Sequence, residues 1–316
     1  MKHFILYTFS IVLLGCNNNA RNQISPIAKE YIDEVISLLE QKSIKKNEID
    51  WTVFTNKIYL HAKNSKKIED TYPCISFAIS ELKDNHSYFE PAKNSTKIEN
   101  LNPLPILVDE NVPRDIGYIR IPFFIGNNEA VKDYIDTITE KISQQNKAEL
   151  KGWIVDLRDN FGGNMWPMLV GIEPILGDGI VGYFLDNNNN YEVWKVLEGK
   201  VFLNSEVVEQ NTNLIHLKNE KPNVAVLINA KTASSGEAIS IAFKGRNKTK
   251  FFGTKTFGVS TGCKSYTLSD SSRINLAESI FVDRNKTKYG SSIQPDVKCN
   301  DNESLQVAID WLNKID

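Results

Sequence analysis

Val224-Ala-Val-Leu-Ile228 is an unbroken apolar run, and Thr232-Ala-Ser-Ser-Gly-Glu237 follows it closely. A short apolar run between polar residues reads as a buried strand. From Glu237 to about Lys244 the pattern turns helical, so Ser234 falls at a strand-to-helix junction. The same alternation extends outward. Gly117-Tyr-Ile-Arg-Ile121 and Trp153-Ile-Val-Asp-Leu157 read as strands, with a helix from about Glu129 to Ser143 between them. Another helix-like stretch follows Gly163, and Phe251-Phe-Gly253 begins a further strand. Strands alternating with helices predict an α/β domain with a largely parallel core sheet.

The ends of the chain read differently. Tyr31, Val35 and Leu39 recur four apart, with Ile32 and Ile36 on the same stripe. A second helix is predicted from Asp50, using Trp51, Phe54, Ile58 and Tyr59, and a third over about Tyr72 to Leu82. Residues 25–95 are therefore expected to form a small helical module that ends at Asp84-Asn-His-Ser87, with 96–316 as the α/β core. A last helix is expected from Ser304, as its N-cap, to Leu312.

Ser234 has two readings. Ser-x-x-Glu before a helix is a capping box. The same position also faces free backbone N–H groups, which suit an oxyanion. A serine nucleophile needs a base. Beyond the first residues the candidates are His61, inside a helical stretch, His216, between Ile215 and Leu217 and read as a strand residue, and His86. His86 sits at a helix exit among Asp84, Asn85 and Ser87, and such polar junctions favour catalytic side chains. In Asp156-Leu-Arg-Asp-Asn-Phe-Gly-Gly163 a strand runs into paired glycines, whose backbone can approach a ligand closely.

Several ordered segments carry a resemblance: Leu82-Lys-Asp-Asn-His-Ser87, Gly117–Ile121, Val155–Gly163, Thr232–Glu237, Gly253-Thr-Lys-Thr-Phe-Gly258, Ser260-Thr-Gly262 and Ile293-Gln-Pro-Asp296. In that order they resemble the serine peptidases that include the C-terminal-processing (tail-specific) proteases and the tricorn core. The resemblance implies a crotonase-like α/β core beside the helical module, peptide or protein substrates, and no metal or cofactor. It implies Ser234 as nucleophile, with oxyanion donors at the N–H of Ser235 and of Gly162 or Gly163. Tail-specific members carry a lysine base directly after the Thr-Phe-Gly run; that position is Val259 here, and Lys255 is off register. The histidine-using branch is the better match, with His86 as base. Its late acid is expected at Asp283, with Glu278 behind it. Only about 25 residues separate Pro91 from Gly117, far below the size of a PDZ or any other domain.

The 316 residues carry a net charge of −2, and no basic face points to nucleic acid. Lys2, the apolar run Phe4 to Leu14 and Leu13-Leu-Gly-Cys16 read as a secretory signal over 1–15. The signal resembles that of bacterial lipoproteins, which implies lipidation of Cys16, a tether over 16–24 and a membrane-anchored, extracytoplasmic protein. Cys263 and Cys299 are candidates for a disulfide, with Cys74 left over; buried free thiols are the alternative. The functional expectation is a lipid-anchored serine peptidase. Its rival is an inactive peptide- or ligand-binding lipoprotein of the same fold.

Overall fold

The computed structural model describes residues 24–92 and 112–315. The signal segment, Cys16 and all but the last residue of the tether lie outside the described residues. In chain order the first elements are α1 (Pro26–Lys42), α2 (Trp51–His61), α3 (Tyr72–Glu81), β1 (Tyr88–Glu90), β2 (Ile116–Arg120), α4 (Asn128–Gln145) and β3 (Gly152–Asp156). Next come α5 (Met165–Leu176), β4 (Gly179–Asp186), β5 (Tyr191–Leu197), β6 (Lys200–Leu203) and β7 (Glu206–Gln210). The last are β8 (Val224–Ile228), α6 (Ser235–Phe243), β9 (Thr249–Gly253), β10 (Thr261–Thr267), β11 (Arg273–Asp283), β12 (Val297–Lys298) and α7 (Asp301–Leu312).

Among the described residues the strands form two sheets. One is parallel throughout, in the order β12-β9-β8-β3-β2. Its central strands β3 and β8 are buried along their whole length, as expected for a parallel sheet covered on both faces. Successive side chains divide between two cores. Trp153, Val155, Val224, Val226 and Ile228 pack under α4, α5 and α6, while Ile154, Ala225 and Leu227 pack against α7. A strand buried on both faces shows no polar alternation, so its apolar run is continuous. Gly117 stands opposite Trp153 in the register of β2 and β3, and a Cβ there would lie 2.5 Å from the indole.

The second sheet is antiparallel, in the order β1-β11-β4-β5-β6-β7, with β10 also on β11. The expected largely parallel core sheet is the five-stranded one; this antiparallel sheet has no counterpart in the sequence reading. The helices α4, α5 and α6 lie between the sheets, sharing one core with Trp194, Val196, Val201 and Phe281 of the antiparallel sheet. The strands β4 to β7 are partly exposed and partly polar, which hides them from a reading based on apolar runs.

The helices α1 to α3 bury Tyr31, Ile32, Val35, Leu39, Phe54, Ile58, Ile75 and Ala78 in a core of their own, joined by Leu268, Ile274 and Leu276. Side chains cap the first two, the second of which starts where predicted: Ser25 Oγ accepts from Ala28 N–H and Asp50 from Val53 N–H. The last helix differs. It begins at Asp301 with Asn300 as N-cap, and Ser304 lies buried inside it, its hydroxyl donating to Asp301 O at 2.8 Å. His216 lies in a loop, not on a strand.

Candidate active site

The C-terminal ends of β3 and β8 are neighbours in the parallel sheet, and each runs into a turn. Parallel α/β sheets present their ligand sites at these strand ends. The turn after β8 carries Ser234 at φ 52° and ψ −117°, a conformation that costs a non-glycine residue roughly 1–3 kcal/mol. Such strain persists only where the surroundings impose it. Glu237 does so here: its Oε2 accepts from Ser234 N–H at 3.1 Å and Val259 N–H at 2.9 Å, and its Oε1 from Thr256 Oγ1–H at 2.5 Å and Gly258 N–H at 3.0 Å. Glu237 has no exposed surface. Burial raises its carboxyl above the ordinary value, and the four donors pull the other way.

The turn after β3 lies against the serine turn. Asn160 is fully buried; its Nδ2–H donates to Ile121 O at 2.9 Å and its backbone carbonyl accepts from Ala233 N–H at 2.9 Å. Its Oδ1 accepts from Gly162 N–H at 3.0 Å. Of the three amides singled out for an oxyanion, Gly162 is thus already engaged inside the protein. Ser235 and Gly163 N–H make no hydrogen bond among the described residues. Gly163 is held at φ 101°, where a Cβ would stand 1.9 Å from Phe124 O, and its carbonyl accepts from Ser235 Oγ–H. Glycine is required there by both backbone angle and space.

His86 arrives from the helical side. After α3, Lys83 and Asn85 take positive φ angles, and the Asp84 carboxylate closes the turn. Asp84 Oδ1 accepts from the N–H of His86 at 2.9 Å and of Ser87 at 2.7 Å, and Oδ2 from Ser87 Oγ–H at 2.6 Å. Ser87 Oγ in turn accepts from Ala277 N–H at 2.9 Å, between the segments of β11 that pair with β1 and with β4. The turn therefore docks on β11 and aims the imidazole at α6. His86 Nε2 lies 3.0 Å from Ser234 Oγ across 148 residues of sequence. On the other side of the ring, Nδ1 lies 2.6 Å from Thr261 Oγ1 and 3.2 Å from Cys263 Sγ. Burial lowers the His86 pKa, with the Asp84 charge acting in the opposite direction.

Asp283 is elsewhere. It ends β11, six residues beyond Ala277, roughly 20 Å along an extended strand. Its Oδ1 accepts from Asn285 and Thr287 N–H at 2.8 and 2.9 Å, and its Oδ2 from Tyr289 O–H at 3.1 Å, so it closes a turn rather than orienting His86. Glu278 is the residue of β11 left without a partner where the register with β10 shifts, and it accepts from Tyr266 O–H. The third position is occupied by Thr261 and Cys263. Thr261 lies within the Ser260-Thr-Gly262 segment, and nothing local in the sequence shows that it meets a histidine 175 residues away. His61 stacks on Phe77, and His216 contributes its carbonyl to Asn146. Cys74, Cys263 and Cys299 are all free thiols, so the candidate disulfide is absent.

Residues 115–299, more than half of the chain, match peptidase family S41. A nisin-resistance protein from Lactococcus lactis subsp. lactis is 25% identical over 290 residues, 92% of this chain and 88% of that one. A carboxy-terminal-processing protease from Bartonella bacilliformis is 25% identical over 191 residues, 60% of this chain but only 40% of that one. Among solved structures, a lipoprotein from Streptococcus agalactiae superposes with a TM-score of 0.74 at 24% identity, covering 92% of this chain and 98% of that one. The photosystem II D1 C-terminal processing protease gives 0.61 at 14% identity, covering 91% and 97%. The strand-end serine and the histidine against it both fall on a fold shared with a processing protease, and by sequence and architecture this chain belongs to peptidase family S41.

Proposed function

We propose that the protein is a serine peptidase working through an acyl-enzyme on Ser234, with His86 as general base. The observation that carries this is the 3.0 Å approach of His86 Nε2 to Ser234 Oγ. As Ser234 Oγ attacks a peptide carbonyl carbon, its proton passes to Nε2. The N–H groups of Ser235 and Gly163 stabilise the oxyanion, and His86 then returns the proton to the leaving amine. Water repeats the sequence and frees the acid product. Phe161 and Phe257, 46% and 61% exposed, flank the serine turn and offer apolar contact to a bound peptide. The two-sheet core is read as crotonase-like, with α1 to α3 as an accessory helical module. One relative is named for nisin resistance, which makes a nisin-like peptide the first substrate to try.

A fluorophosphonate probe tests the chemistry. Adduct on the wild type, lost in Ser234→Ala and strongly reduced in His86→Ala, is the expected result. A wild type that takes no adduct overturns it. The rival, a peptide-binding protein without turnover, draws on Val259 at the lysine position and on a His86 ring that meets no carboxylate at Nδ1 among the described residues. The same probe separates the two.

Anchoring at Cys16 and an extracytoplasmic location belong to the same proposal, supported by the signal-like residues 1–15. Mass spectrometry of the mature protein is expected to find Cys16 at the N-terminus carrying lipid. An unlipidated N-terminus, or one at another residue, overturns the anchor.

A further inference from the structure

We propose that Thr261 is the positioning residue for His86, filling with a neutral hydroxyl the place that a carboxylate holds in a serine–histidine–acid triad. The inference rests on the serine peptidase reading above and adds a part to it.

An imidazole acts as a base at Nε2 only when its proton sits on Nδ1, and a group that accepts a hydrogen bond from Nδ1–H holds it in that tautomer. The acceptor here is Thr261 Oγ1 at 2.6 Å, with Cys263 Sγ at 3.2 Å beside it. Both come from β10, two residues apart and therefore on one face of the strand. The register shift of β10 against β11 falls between Gly262 and Cys263, next to these contacts. Such irregularities re-aim side chains near active sites. Among the described residues Nε2 is the acceptor within reach of the Ser234 hydroxyl proton, and it can accept only when Nδ1 carries the ring proton.

Among the described residues, the groups around the ring leave no acid for the task. Asp84 is the nearest charge on the histidine's own turn, and its oxygens are taken by His86 N–H, Ser87 N–H and Ser87 Oγ–H. Glu278 of β11 bonds to Tyr266. Cys263 stays a neutral thiol, because burial pushes its pKa up to about 12. Thr261 is also tied to the nucleophile through the backbone. Thr261 N–H donates to Val259 O at 2.7 Å, and Val259 N–H donates to the same Glu237 oxygen that accepts from Ser234 N–H. One buried carboxylate thus spaces the serine from the residue that aims the histidine.

Two measurements test this on the full-length protein. The first is the rate of fluorophosphonate labelling at pH 7. Thr261→Val, which keeps the shape and removes the hydroxyl, is expected to slow labelling about tenfold or more, and Thr261→Ser to recover most of the rate. The second is the 15N spectrum of the His86 ring, which reads the tautomer without any turnover. The wild type is expected in the Nδ1–H form, and Thr261→Val is expected to lose that preference. Unchanged labelling and an unchanged ring spectrum in Thr261→Val overturn the role of Thr261. Labelling that survives in Ser234→Ala overturns the peptidase reading instead, while the ring spectrum still decides on Thr261.

Discussion

Glu237 and Val259 are joined by a 2.9 Å hydrogen bond from the Val259 N–H to the carboxylate that also holds Ser234 N–H. The segment that would carry a lysine base in tail-specific members here supplies backbone donors to the serine turn. Replacing Glu237 by Ala leaves three backbone amides and the Thr256 hydroxyl without their acceptor. Each orphaned buried donor costs about 1–3 kcal/mol, in part relieved by entering water. Glu237→Ala is therefore expected to lose at least about 3 kcal/mol in urea unfolding and most of its labelling by fluorophosphonate. Full stability would contradict this account of the turn.

Backbone strain at Ser234 has a signature in stability. Glycine is normally less stable than alanine at an ordinary site by roughly 0.5–1 kcal/mol. At φ 52° and ψ −117° the order should reverse, because only glycine adopts those angles without a steric penalty. Ser234→Gly is expected to melt above Ser234→Ala, both being inactive. The opposite order would show that the turn is unstrained.

The histidine predicts the pH response. Burial lowers the His86 pKa below its ordinary 6.5, so the neutral ring persists into more acid solution. The acid limb of kcat/KM is expected to have its midpoint below 6.5, and a midpoint above 7 would exclude this assignment. Stability follows with a defined sign. Between the folded-state pKa and 6.5 the unfolded chain binds more protons, so the His86 contribution to stability rises with pH there and is lost on acidification through that window.

Asn160 joins the glycine turn to the serine turn through its side chain and its carbonyl. Asn160→Ala leaves Gly162 N–H and Ile121 O unpaired in a buried place. A loss of about 2 kcal/mol is expected, with a fall in kcat larger than any rise in KM, since the amides proposed to stabilise an oxyanion lose their frame. A change in KM alone would assign Asn160 to substrate binding instead.

The free thiols make a chemical prediction. Burial holds Cys74 at about 11 and Cys263 at about 12, so neither is a thiolate at neutral pH. Both are expected to resist iodoacetamide in the native protein and to react on unfolding, and non-reducing electrophoresis should show no internal cross-link. Rapid native labelling of Cys263 would require a more open site than the one described.

The local signals in the chain were strong where burial is continuous. The run Val224–Ile228 is a strand because both of its faces are covered, and its composition records that directly. The stripe through Tyr31, Val35 and Leu39 records one buried helix face in the same way. Asp283 shows where such reasoning fails. Its position late in the chain agrees with a triad acid, but six residues along an extended strand carry it far from the Ser87–Ala277 contact. No local pattern reports that displacement. The strands β4 to β7 escaped for a related reason: one-sided, partly polar strands leave a weak pattern.

By itself the sequence determined that a serine stands at a strand-to-helix junction, that Gly163 follows the end of another strand, and that a histidine leaves the third helix in a polar turn. These follow from short-range periodicity, caps and glycines, which depend on neighbours a few residues away. Only the tertiary structure decided what touches what. Packing three helices between two sheets set β8 beside β3, docked the Asp84 turn on β11, and brought His86 to Ser234 across 148 residues and to Thr261 across 175. The choice of Thr261 over a carboxylate was made by the register of β10 on β11, where one residue more or less changes which side chain meets the ring.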